Sequence, residues 1–279
     1  MSPKGGVGKS TLAANLAVYL RAAERELPIL TFSLDDDPFL EEMLAEEPAS
    51  TEADDVGAAL AAESFAKAVR PGRFGVHFVR SAPQLGDDEG PPQAGRLRRI
   101  LRASGVRGLV VIDTKSDLDG WTQHALAAAD LTVVPVKDQA SLRGAVRVFE
   151  TLEGWGRPRT RARVVISLVD GRIQFPNGGE ASMQHVLRSG LARAGLPVFD
   201  SFVSRSPKVE ALATNPDGAT TSILEGAAGS VVDGQLRALA RELRQRLDAL
   251  DPEPVPTPEV RPPGAGAPRR PSGWRSTTP

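Results

Sequence analysis

The 279-residue sequence contains no cysteine. Disulfide bridges, thiolate zinc sites and iron–sulfur clusters held by cysteine are therefore excluded. Histidine is scarce as well: His77, His124 and His185 fall in separate segments without the spacing of metal ligands. No apolar run approaches the roughly 18 residues of a membrane span, and the N-terminus has no signal-peptide core, so a cytoplasmic location is expected. A surplus of one charge is also lacking, since 34 basic side chains face 35 acidic ones. That balance demands no nucleic-acid partner, although a local patch can still bind one. No internal repeat is evident. With 41% hydrophobic residues the chain can bury one substantial core. We expect a domain over residues 1–250 and a disordered tail over 251–279, rich in Pro, Gly, Thr and Arg, with Trp274 as a candidate anchor for a partner.

Glycine, by contrast, is concentrated where chemistry needs it. Gly5, Gly6, Val7, Gly8, Lys9, Ser10 and Thr11 form a phosphate-binding loop. The glycines let backbone N–H groups approach phosphate oxygens, Lys9 supplies charge for the β/γ-phosphates, and the Ser10 hydroxyl suits Mg²⁺. Leu12, Leu16, Tyr19 and Leu20 follow at helical spacing, so the loop opens a helix whose positive end faces the phosphates. ATP and Mg²⁺ are the implied cofactors. A loop of this kind follows a buried strand, yet only Met1, Ser2 and Pro3 precede Lys4. The first strand is expected to be truncated in the sequence as it stands.

Residues 28–34 form a short apolar run that reads as a buried parallel strand, and it ends in Asp35, Asp36, Asp37 and Pro38. In open α/β sheets the ligand lies beyond the carboxyl ends of strands, so these acids point toward the phosphate loop; the plainer alternative is an acidic turn capping the next helix. Leu109, Val110, Val111 and Ile112 lead to Asp113, the arrangement of a Walker B strand, and Asp113 is expected to hold Mg²⁺ together with Ser10. Further strands are expected over 74–79, 131–136, 164–169 and 198–202, alternating with helices. The fold class is α/β: a mainly parallel twisted sheet with helices on both faces.

Lys4 beside this loop, together with Lys9, resembles the deviant Walker A motif of the ParA/MinD family of ATPases. Asp35, Asp37 and Pro38 match that family's Asp-x-Asp-Pro, Asp113 and Thr114 begin its Asp-Thr-Pro-Pro, and residues 125–144 read very similarly. Phe39 stands where a Gln is usual, and Lys115 and Ser116 replace both prolines. The resemblance implies an ATPase whose active site is completed in an ATP-dependent homodimer, with Lys4 reaching the partner's phosphates and Asp37 positioning the attacking water. It also implies non-specific DNA and an activating protein as partners, and partitioning or positioning of a plasmid, chromosome or protein cargo as the purpose. A membrane-associated positioning ATPase like MinD, a nucleotide-binding scaffold with little turnover and a small-molecule kinase are the alternatives; Lys4 argues against the last.

Three basic stretches bear on the partner. Arg96, Arg98, Arg99 and Arg102 are expected on a solvated helix face. Arg157, Arg159, Arg161 and Arg163 alternate, so in an extended segment they would face one way and either grip a phosphate backbone or solubilise a sheet end. Residues 235–250 form a helix with Leu236, Leu239, Leu243, Leu247 and Leu250 on one side, expected to pack on the domain's own sheet rather than on a membrane. By the family resemblance the loop around Arg205 and Lys208 lies near the adenine, with basic residues there that can touch DNA.

Overall fold

The computed structural model describes residues 6–46, 54–82, 85, 95–118, 120–170, 174–175, 181–212 and 220–251. Lys4, Gly5 and the tail beyond Asp251 lie outside these residues.

The helix after the phosphate loop, α1 (Lys9–Ala23), starts at Gly8, whose left-handed φ of 80° turns the chain into it. The run at 28–34 folds as β1 (Ile29–Ser33), buried at every position. A short α2 (Phe39–Leu44) and α3 (Val56–Ala61) follow, the latter capped by Asp55 accepting the Ala58 N–H. The strand expected over 74–79 shrinks to β3 (His77–Phe78), which pairs antiparallel with β2 (Arg70–Pro71). Phe74 and Gly75 take φ values of 62° and 71° in a 3₁₀ turn, which no strand can absorb.

Next come α4 (Arg96–Ala103), β4 (Leu109–Asp113), α5 (Gly120–Ala128) and β5 (Thr132–Val136). The helix α6 (Gln139–Gly154) opens on a capping box between Asp138 and Ser141. It leads to β6 (Ala162–Val169), the small antiparallel pair β7 (Gln174–Phe175) and β8 (Ala181–Ser182), α7 (Met183–Arg193) and β9 (Val198–Ser204). Two short helices, α8 (Pro207–Leu212) and α9 (Ile223–Gly226), precede the closing α10 (Val231–Asp248).

The strands run in two groups, β2-β3-β1-β4 and β5-β6-β9, and every pairing in them except β2–β3 is parallel. Alternate residues of β4 separate the two faces. Leu109 and Val111 pack with α1 and α10, while Val110 and Ile112 pack with α4 and α5. The α/β architecture expected from the sequence is thus the one observed.

The arginine expectations need correction. Residues 159–161 form a 3₁₀ turn, so the four arginines do not share a face. Arg157 is buried and donates to the carbonyls of Leu126, Ala127 and Ala129 at the end of α5. Arg159 pairs with Glu153, Arg161 donates to the Asp251 carbonyl, and Arg163 donates to the Val198 carbonyl at 2.9 Å. Arg98, expected in solvent, is also buried and donates to the Ala128 carbonyl and to Asp130. Four last-turn carbonyls of any helix lack intrahelical donors, and two guanidinium forks satisfy them here.

Helix α10 packs its leucines inward as expected, with Leu236, Leu239 and Leu243 buried. It also covers the outer edge of β9: Glu242 accepts the N–H groups of Asp200 and Ser201, and Gln235 accepts that of Ser204. Its arginines are engaged too, Arg237 with Asp233, Arg244 with Glu24 and Asp248, and Arg246 with Asp200 and Glu242. No helix among the described residues is long and apolar enough to cross a membrane.

Candidate nucleotide-binding site

The loop takes its shape from glycine. Gly6 and Gly8 have φ values of 66° and 80°, and a Cβ on Gly8 would also meet Leu168 Cδ1 at 3.2 Å. Leu168 itself sits at φ 53°, a rare conformation for a branched residue, where β6 shifts register against β9. This bulge is what lays its side chain under the loop. The loop's carbonyls are held from the protein side: Ser167 Oγ donates to Val7 O at 3.0 Å, and the Lys137 ammonium donates to Gly6 O. The N–H groups that begin α1 are those that lack intrahelical acceptors in any helix, and they face the crevice beyond the strand ends.

Lys9 is half-buried, and its Nζ donates to Ser116 Oγ at 2.7 Å. Burial lowers its pKa, against the opposing pull of Asp113, Asp35 and Asp117. Asp113 closes β4 and is almost wholly buried, at 3% exposure. Burial raises its pKa, while hydrogen bonds from Ser10, the Thr114 backbone and Ser33 oppose the rise. Ser33 Oγ donates to Asp113 Oδ2 at 3.2 Å and accepts the Asp35 N–H at 3.0 Å, so one hydroxyl ties the ends of β1 and β4 together. Burial, with the Asp36 side chain and the charge of Asp113 adding to it, pushes Asp35 up to about 6.

The structure therefore brings Gly6, Val7, Gly8, Lys9, Ser10 and Asp113 to one place. Thr11 follows in the first turn of α1. Asp37 is exposed, and its Oδ1 accepts the Phe39 N–H at 3.0 Å at the start of α2. Lys4 and Gly5 are outside the described residues. Sequence reasoning missed Ser33, Lys137, Ser167 and Leu168. Ser116 was visible only as a departure from a proline pattern, without its bond to Lys9.

A hydroxyl beside one buried carboxylate is the kind of donor set that Mg²⁺ uses when phosphates complete its shell. No group of three or more His, Asp or Glu that could hold a metal by itself occurs among the described residues. Ser10 and Asp113 thus fit a cation that arrives with a nucleotide.

A loop whose carbonyls are tied back, whose amides face outward and whose lysine stands against buried acids is built for polyphosphate, and the class it defines is the P-loop nucleotide-binding proteins. Residues 1–216 match the CobQ/CobB/MinD/ParA nucleotide binding domain. The chain belongs to this family of ParA/MinD-type ATPases. It is 32% identical over 255 residues to the chromosome-partitioning ATPase Soj of Thermus thermophilus, covering 88% of this chain and 93% of that protein. It is 31% identical to the maintenance of carboxysome distribution protein A of Gloeobacter kilaueensis, over 73% of this chain and 74% of that one. Among solved structures, the cobyrinic acid a,c-diamide synthase of Mycobacterium smegmatis with bound ADP and magnesium has the same fold, with a TM-score of 0.64 at 19% identity over 89% of this chain and 94% of that one.

Proposed function

We propose that the chain is a ParA-like ATPase, an ATP-driven switch between monomer and dimer that partitions or positions a plasmid, chromosome or protein cargo. The observation that carries this is the convergence of Lys9, Ser10 and the buried Asp113 on the glycine loop, in a sequence where Lys4 stands beside that loop. The chromosome-partitioning and carboxysome-distribution relatives support it.

In this reading the amides from Gly6 to Ser10 and the Lys9 ammonium stabilise charge on the transferring phosphoryl group. Ser10 and Asp113 hold Mg²⁺, which when bound neutralises charge on the β- and γ-phosphates. Asp37 orients the attacking water through the acceptor sites that its one hydrogen bond, from the Phe39 N–H, leaves open. Lys4 acts in trans on the partner's nucleotide. A site completed only by a second copy makes ATP a signal for assembly, and hydrolysis its reset. Non-specific DNA is the matrix and a separate protein the activator. The membrane reading is weaker because Arg237, Arg244 and Arg246 of α10 already pair with carboxylates, and Arg241 donates to the Arg237 carbonyl.

Light scattering with and without ATP tests the switch. The wild type should dimerise with ATP, while Lys4→Ala should keep nucleotide affinity and lose both dimerisation and turnover. A Lys4→Ala chain that still dimerises on ATP rejects the trans role. Binding to random-sequence DNA and to anionic vesicles across a salt series then separates the two matrices, since phosphate contacts weaken steeply with salt.

A further inference from the structure

From Gly6 to Gly8 each carbonyl of the phosphate loop accepts a hydrogen bond from the protein side. The Lys137 ammonium donates to Gly6 O, Ser167 Oγ donates to Val7 O at 3.0 Å, and the Leu12 N–H donates to Gly8 O at 2.8 Å. In a trans peptide the C=O and the N–H of the following residue point opposite ways. Holding these carbonyls inward therefore turns the Val7, Gly8 and Lys9 N–H groups together toward the crevice, as a run of donors for an anion.

The three contacts differ in kind. Gly8 O is tied by the first turn of α1, which helix formation alone secures. Val7 O is tied next to a side chain that is completely buried, so packing assists Ser167. The Gly6–Val7 peptide follows a glycine at φ 66°, which has no side chain to resist rotation of the peptide plane. What holds this unit comes from far along the chain. Lys137 stands between β5 and the capping box of α6, where its own N–H donates to Ser141 Oγ at 3.0 Å, and that hydroxyl is held in turn by Asp138 Oδ1 at 2.8 Å. A Cβ added to Gly6 would lie 3.6 Å from Lys137 Nζ, so the ammonium rests against the loop itself. A cation on a carbonyl also polarises the peptide, which makes the N–H of the same unit a stronger donor.

We propose that Lys137 is a positioning residue for the phosphate loop: it locks the Gly6–Val7 peptide with the Val7 N–H facing the crevice and strengthens that N–H as a donor to a nucleotide's polyphosphate. The role rests on the nucleotide-binding reading of this site. It adds to the loop a group from the β5–α6 joint, 131 residues away. The peptide is set before any ligand arrives, so the effect falls on affinity, and a diphosphate is enough to read it because loop amides of this kind cradle the α- and β-phosphates.

Two variants test this. Lys137→Met keeps the apolar stem and removes the ammonium, whereas Lys137→Arg keeps a cationic donor. The first readout needs no nucleotide: it is the amide nitrogen shift of Val7 in the free protein, which reports hydrogen bonding at the Gly6 carbonyl of the same peptide. The second is affinity for ADP with magnesium, by titration calorimetry. Lys137→Met should move the Val7 resonance and weaken ADP about tenfold. Lys137→Arg should return both toward the wild type. A Val7 resonance that stays in place in Lys137→Met overturns the proposal, even where affinity falls, because the ammonium would then act on the phosphates themselves. Loss of affinity that Lys137→Arg fails to recover, or that a fall in the thermal midpoint accounts for, overturns it too. A tight-binding wild type with an equally tight Lys137→Met overturns this role alone, whereas a wild type that binds no ADP removes the nucleotide reading and this role with it.

Discussion

Lys9 Nζ rests on Ser116 Oγ at 2.7 Å, and a phosphate that takes the ammonium must first break this bond. Hydrogen bonds to charged groups contribute about 1.5–3 kcal/mol, and part of that is regained when phosphate replaces the hydroxyl. Ser116→Ala should therefore bind ATP about fivefold tighter, roughly 1 kcal/mol, in a fluorescence titration. Unchanged affinity would mean that the contact has no competitive weight. The glycine loop, Lys9, Ser10 and Asp113 were legible in the sequence because each is dictated by phosphate chemistry at a fixed local spacing. Ser33, Ser167 and Leu168 were not. They act through contacts made across 80 and 160 residues of chain, or through a bulge, and neither leaves a periodic trace.

At the level of single elements, strand and helix positions followed from apolar periodicity, and the roles of the arginines did not. Alternation suggested a shared face for Arg157 to Arg163, but the 3₁₀ turn at 159–161 breaks the period, and the acceptors of Arg157 lie about thirty residues back at the end of α5. Arg157→Ala should lower stability by about 2–4 kcal/mol in urea unfolding, because one buried and two part-buried carbonyls lose their donor. Arg157→Lys should recover little of this, since an ammonium has no fork to span three oxygens. Helix α10 carries a pH signature. Burial, the largest influence on Glu242, pushes its pKa up, but the N–H groups of Ser201 and Asp200 outweigh it and hold the group below its ordinary 4.5. Stability from a depressed carboxylate is present above that ordinary value and is lost as the pH falls through the folded one. Asp35 has the opposite sign: raised to about 6, it binds its proton more readily in the fold, so stability falls as pH rises from about 4 to 6. Urea midpoints should therefore peak between these limbs. Glu242→Gln should flatten the acid limb and Asp35→Asn the upper one, and identical profiles for both variants would reject these assignments.

For the molecule as a whole, the family and the α/β architecture were readable because a P-loop permits few folds. One long-range feature concerns how the protein is made. Tyr19 of α1 donates to Asp233 of α10 at 2.8 Å, 214 residues away, and Asn15 accepts the Ile223 N–H across 208 residues. The helix that presents the phosphate loop is thus secured by the last parts of the domain to be synthesised. A nascent chain emerges N-terminus first, and contacts of such sequence separation form late. Translation should therefore release a nucleotide-competent protein only near its end. Ribosome-arrested chains stopped before Ile223 should fail to retain labelled ATP, and chains carried past Asp248 and clear of the exit tunnel should retain it.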